Sequence, residues 1–133
     1  GGQVGPLNGN LHEFGYYPVS PTEAGRDFLP DTLHVTEAHY HTFTLPEGVT
    51  LLATGESYAN QAFRYGTKVY GVQFHPECTA KIFRRWQQSE TAVYGQPGSQ
   101  SREEQDRLMT LHDAAQGAWF NGFLGRLFLE GRP

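Results

Sequence analysis

The stretch Tyr70-Gly71-Val72-Gln73-Phe74-His75-Pro76-Glu77 decides the reading of this chain. Up to Phe74 its residues alternate, with Tyr70, Val72 and Phe74 on one face and Val69, Gly71 and Gln73 on the other, the period of a β-strand. The low polarity of that run predicts a central strand covered on both faces. At its end stand a histidine and a carboxylate two residues apart, His75 and Glu77, with a proline between them that restricts the backbone. Such a pair at the carboxyl end of a strand can turn an imidazole toward a ligand while the carboxylate fixes its tautomer. Taken alone, the triplet reads equally well as a helix entry, with Glu77 near the positive end of the following helix.

Working outward, Gly66-Thr67 suits a tight hairpin turn between 63–65 and 68–70. Further upstream the pattern predicts extended segments over Glu13–Val19, Leu33–Thr44 and Val49–Thr54, with a turn at Leu45-Pro46-Glu47-Gly48. Residues 1–10, rich in glycine and without periodicity, predict a loop. Downstream, Ile82, Phe83 and Trp86 mark a short helix over Thr79–Gln88, and 89–100 is a loop by composition. Ser101 and Glu104 match a capping box. They open a helical stretch whose apolar stripe is Leu108, Leu111, Ala115, Trp119, Phe123 and Leu127. Gly117, Gly122 and Gly125 predict a weak point that divides it into two helices.

At 133 residues the chain has room for one modest domain or part of one. Ten Lys and Arg against fourteen Asp and Glu give a net charge of -4, the wrong sign for a phosphate backbone, so a nucleic-acid ligand is not expected. Lys81, Arg84 and Arg85 read as the solvated face of one helix turn. No apolar run reaches the length of a membrane span. The single cysteine, Cys78, permits no internal disulfide, and a reducing cytoplasm is the expected setting.

The octapeptide at 70–77 resembles the motif that closes the catalytic site of class I glutamine amidotransferases. The resemblance continues upstream through His39-Tyr40-His41, Leu45-Pro46-Glu47-Gly48, Leu51-Leu52-Ala53 and Asn60-Gln61-Ala62-Phe63, in the order found in the stand-alone, GMP-synthase-like group. Gly1-Gly2-Gln3-Val4 and Glu13-Phe14-Gly15 also look like family segments, so the likeness covers residues 1 to about 88. It implies an α/β, flavodoxin-like fold, a mixed sheet with flanking helices. It further implies that residues 1–133 are the C-terminal portion of a single amidotransferase domain.

The activity implied is hydrolysis of glutamine to glutamate and ammonia by a Cys-His-Glu triad, without a cofactor. By this resemblance His75 is the acid–base residue and Glu77 its orienting partner, and Ala38, His39 and Tyr40 bind glutamine, largely through backbone groups. Tyr40 and His41 stand where the family often has Gly and Asp. The family's nucleophile lies upstream of the segment matching Gly1-Gly2. Cys78, adjoining the His-Pro-Glu triplet, is not placed to present its sulfur to His75 from across a site. The expected partner is therefore a companion N-terminal polypeptide or a second copy, with the isolated chain inactive. Two alternatives share the motif: a non-catalytic binding or assembly module, and a γ-glutamyl peptide hydrolase. A separate reading takes His39 and His41, with His12 or His34, as ligands of zinc or nickel, although two imidazoles fall short of the usual three or four ligands.

Overall fold

The computed structural model describes residues 1–7 and 9–130. Asn8, in the expected N-terminal loop, and residues 131–133, at the end of the expected domain, lie outside the described residues. Seven strands precede two helices: β1 Val4–Pro6, β2 Glu13–Pro21, β3 Leu33–His39, β4 His41–Phe43, β5 Val49–Gly55, β6 Ala62–Tyr65, β7 Val69–Val72, α1 Ala80–Gln87 and α2 Arg102–Gly125. Five of the strands form a sheet in the order β3-β2-β5-β6-β7, and β1 pairs with β4 in a separate ribbon.

Every described pairing is antiparallel. The parallel ladders of a mixed sheet are thus not among the described residues, and the connections explain why. Parallel neighbours need a crossover of a dozen or more residues, usually a helix. Here β2 and β3 are joined through one short 3-10 turn, Glu23–Gly25, and β5, β6 and β7 by the short loops 56–61 and 66–68. The β6–β7 hairpin turns at Gly66, whose φ of 60° lies in the left-handed region that glycine tolerates.

Three sequence expectations are corrected. The 70–77 strand is not central: β7 ends the sheet, stops at Val72, and leaves Val69 and Val72 exposed. Gln73 N–H still bonds the carbonyl of Gln61, just before β6, and the chain then leaves that ladder, His75 N–H going to the carbonyl of Thr36, each at 2.8 Å. The N-terminal loop contains β1, held by Thr44 N–H on the carbonyl of Gln3 (2.9 Å) and by Gln3 N–H on Thr44 Oγ1 (2.8 Å). Helix α2 runs through Gly117 and Gly122 for 24 residues, and the stretch changes only at Gly125, after which Arg126–Glu130 form a π-helical turn. Its exposed residues include Leu111 and Ala115, and its buried ones are Gln105, Leu108, Met109 and Gln116.

The helices cover the sheet through two apolar clusters. Helix α1, capped by Thr79 Oγ1 accepting from Ile82 N–H, buries Phe83 completely against Phe14 and Tyr16. One such ring stabilises the fold by roughly 1.5–3 kcal/mol. Trp119 and Phe123 of α2 pack on Phe28, and the Trp119 indole donates to the carbonyl of Phe28 at 2.9 Å. No described helix is long and apolar enough to cross a membrane.

Candidate functional site

The chain leaves β3 at His39 and enters the other sheet at His41, so Tyr40 bridges two sheets and is half exposed. The break places Ala38, His39 and Tyr40 on the wall of a cleft of about 380 Å³, and His75 lines the same cleft. Residues far apart in sequence are joined here because His75 N–H bonds the carbonyl of Thr36 in β3. His12, Glu13, Phe14, Trp86, Thr91 and Val93 complete much of the lining.

His75 Nδ1 lies 2.9 Å from Glu77 Oε1. With a carboxylate as partner, Nδ1 carries the proton and Nε2 is the basic nitrogen, for which no protein hydrogen bond is found among the described residues. The Trp86 ring stands edge-on to the imidazole at 5.2 Å. Glu77 is itself exposed and does not line the cleft, so it reaches the site only through His75.

Beneath the opposite wall lies a buried cluster not anticipated from the sequence. His39 Nε2 is 2.8 Å from Glu13 Oε2 and 3.1 Å from Glu37 Oε2, and its Nδ1 donates to the carbonyl of His41 at 2.8 Å. Burial alone would lower the His39 pKa, but the contacts to Glu13 and Glu37 outweigh it and raise the value to about 9. Burial pushes Glu37 upward, and the neighbouring Glu13 charge adds to that against the opposing pull of His39. The available signal was the antiparallel register: Glu13 pairs with His39, and Glu37, two residues along β3, shares its face. Strand pattern alone does not supply that register.

The imidazole set suggested for zinc or nickel is not assembled. His34 stacks on His112 with ring centroids 3.8 Å apart, His12 Nδ1 bonds the carbonyl of Asn10, and His41 is exposed. Among the described residues the one grouping with ligand-like spacing is Glu13, Glu37 and His39, and there both ring nitrogens are taken up in protein contacts. It is an ion-pair cluster. Cys78 is buried, and burial, then the nearby Glu77 and Asp113 charges, push its thiol up to about 12. It is therefore a protonated core residue, unsuited to attack.

The family model for glutamine amidotransferase class-I matches residues 9–86. With that match, the sheet and the cleft, the chain belongs to the class I glutamine amidotransferase family. It is 36% identical over 86 residues to GMP synthase [glutamine-hydrolyzing] of Neisseria gonorrhoeae strain FA 1090, an alignment covering 59% of this chain and 16% of that protein. The crystal structure of a glutamine amido transferase from Methylobacillus flagellatus superimposes with a TM-score of 0.83 and 27% identity, covering 96% of this chain and 55% of that one. A glutamine amidotransferase from Thermotoga maritima gives 0.78 and 27% over the same shares. The chain thus spans a small part of the curated GMP synthase and about half of each of these solved relatives.

Proposed function

We propose that residues 1–133 are the C-terminal portion of one amidotransferase domain and furnish the acid–base half of a site that hydrolyses the side-chain amide of glutamine. The observation that carries this reading is the meeting of His75, hydrogen-bonded to Glu77, with the Ala38–Tyr40 wall in one cleft. His75 Nε2 takes the proton of a cysteine thiol, the thiolate attacks the amide carbon, and the imidazolium returns the proton to the departing ammonia. Water then releases glutamate from the thioester by the same base. Glu77 holds the imidazole in the tautomer this requires and stabilises its charged form. Ala38, His39 and Tyr40 bind the glutamine.

The thiol comes from residues outside the 133, because Cys78 is buried and protonated. The open edge of β7, where Val69 and Val72 are exposed, is covered by that companion segment or by a second copy, and the chain alone is inactive. Measuring ammonia release from glutamine by the complete protein tests the reading. His75→Asn lowers kcat by about 10²–10⁴. Undiminished release in that variant would refute the assignment. Among the alternatives, free ammonia from glutamine separates this activity from cleavage of γ-glutamyl conjugates and from a non-catalytic module.

A further inference from the structure

Three ionisable side chains, Glu13, Glu37 and His39, are buried where β2 begins and β3 ends, and burying such groups is costly unless they are paired. We infer that they form a positioning device: His39, bonded through Nε2 to Glu13 and Glu37 and through Nδ1 to the His41 carbonyl, fixes the Ala38–Tyr40 wall of the cleft. The inference rests on the glutamine reading for the identity of what that wall binds. The three residues act through the backbone and are not acid–base groups of the reaction.

The geometry supports this in three ways. First, both ring nitrogens of His39 are engaged, Nε2 by Glu13 and Glu37 and Nδ1 by the His41 carbonyl, so the ring ties β2, β3 and the start of β4 together across Tyr40. The chain changes sheets at Tyr40, and the His39 ring takes over the task that the β2–β3 ladder performs up to His39.

Second, the hydrogen-bond accounting calls for one further proton. Glu37 is fully buried, and neither of its oxygens has a hydrogen bond of good geometry; Gln61 Oε1, also buried, is likewise without a partner. The Gln61 amide interacts with both carboxylates. A proton on Glu37 supplies a donor where buried oxygens stand unpartnered and leaves the cluster neutral, one carboxylate against one imidazolium. Third, among the described residues no Lys or Arg is bonded to the cluster, and His12, Tyr40 and His75 share only the cleft with Glu13 and His39. The titratable groups facing the cluster are Tyr58, edge-on to His39 at 4.4 Å and donating to the carbonyl of Leu11, and Tyr17, donating to the carbonyl of Gly98. Loss of the Glu37 proton therefore leaves one negative charge unbalanced behind the wall.

The test combines histidine-selective 15N NMR with steady-state kinetics on the complete protein. In the wild type, both His39 nitrogens stay protonated at pH 8, and KM for glutamine rises at least about threefold from pH 6 to 8 as Glu37 ionises. Glu13→Gln raises KM about tenfold or more and changes kcat by less than about threefold, the split expected when ground-state binding is lost and the His75–Glu77 pair is untouched. Glu37→Gln, which imitates the protonated carboxyl, abolishes the change of KM with pH. A neutral His39 at pH 8, a fall in kcat at constant KM in Glu13→Gln, or an unaltered pH dependence in Glu37→Gln would each overturn the inference. If the wild type releases no ammonia from glutamine, the functional reading fails and amide exchange decides the positioning role. Glu13→Gln then speeds exchange at residues 37–40 by about tenfold relative to β5 and β6, and uniform acceleration refutes it. Should Glu13→Gln fail to fold, the wild type is compared with Glu37→Gln at pH 8: faster exchange at residues 37–40 in the wild type supports the inference, and equal exchange overturns it.

Discussion

Gln116 offers the sharpest test of how the site is held. It is buried on α2, and its Oε1 accepts from Thr36 N–H at 2.6 Å, while Nε2 donates to Thr36 Oγ1 at 3.0 Å and to the carbonyl of Cys78 at 3.2 Å. Thr36 also receives His75 N–H, so one glutamine braces the segment on both sides of the His75–Glu77 pair. Gln116→Met keeps the length of the side chain and removes all three hydrogen bonds. Two buried backbone groups, Thr36 N–H and the Cys78 carbonyl, lose this partner at about 1–3 kcal/mol each, and relief from burying the glutamine amide offsets part of that. The net destabilisation is about 2–4 kcal/mol, a large share of the roughly 5–15 kcal/mol typical of a domain. Urea unfolding followed by circular dichroism reads it as a lower midpoint with an unchanged slope. A shift worth less than about 1 kcal/mol would refute the reasoning, because buried backbone groups left unpaired cannot be that inexpensive.

Further expectations concern pH, the thiol and two glycines. Glu37 ionises at about 7 when folded against 4.5 in its ordinary state, and His39 at about 9 against 6.5, so the folded chain holds extra protons between those limits. Stability therefore declines as pH rises from 4.5 to 9, and Glu37→Gln removes the part of the decline below about 7, as denaturant titrations at each pH will show. Cys78 resists iodoacetamide in the native protein at pH 8 and reacts on unfolding in urea, which mass spectrometry detects; rapid native labelling would contradict its burial. Gly117→Ala, with open space around it in a helix interior, stabilises by about 0.5–1 kcal/mol. Gly25→Ala destabilises by about 3 kcal/mol or more, since its Cβ would stand 1.8 Å from the backbone oxygen of Leu52; thermal melts of the pair will separate the two cases.

Much of the site was legible where chemistry is written in consecutive residues. His75, Pro76 and Glu77 declare a paired imidazole, and turn chemistry locates the hairpin at Gly66, although the turn takes in Lys68 as well and Tyr65 pairs with Val69, one residue on from the expected register. What escaped the sequence depends on which residues face one another across strands. Glu13 and Glu37 each read as an ordinary strand residue until the register sets Glu13 opposite His39. The place of β7 at the end of the sheet escaped for a similar reason: an apolar run indicates cover on both faces but not which neighbours provide it.

The misplaced stripe on α2 has a different cause, and it bears on how the site is built. Counting apolar residues selects Leu111 and Ala115, both exposed, because the buried face carries Gln105 and Gln116 between Leu108, Met109 and Trp119. Those glutamines are buried because β2 and β3 present backbone groups beyond their own ladders. Gln105 Nε2 donates to the carbonyl of Phe14, Gln100 clasps Tyr16 through both its N–H and its carbonyl, and Gln116 accepts from Thr36 N–H. An amide side chain supplies the donor and acceptor that an added strand would otherwise provide. An apolar residue at 116 would leave Thr36 N–H and the Cys78 carbonyl orphaned, whereas the Phe14 carbonyl would keep the N–H of Gln100, so polarity at 116 is the stricter requirement. The same bonds fix Phe14 in the cleft lining and Thr36 behind His75, which makes the helix a brace for both walls of the cleft.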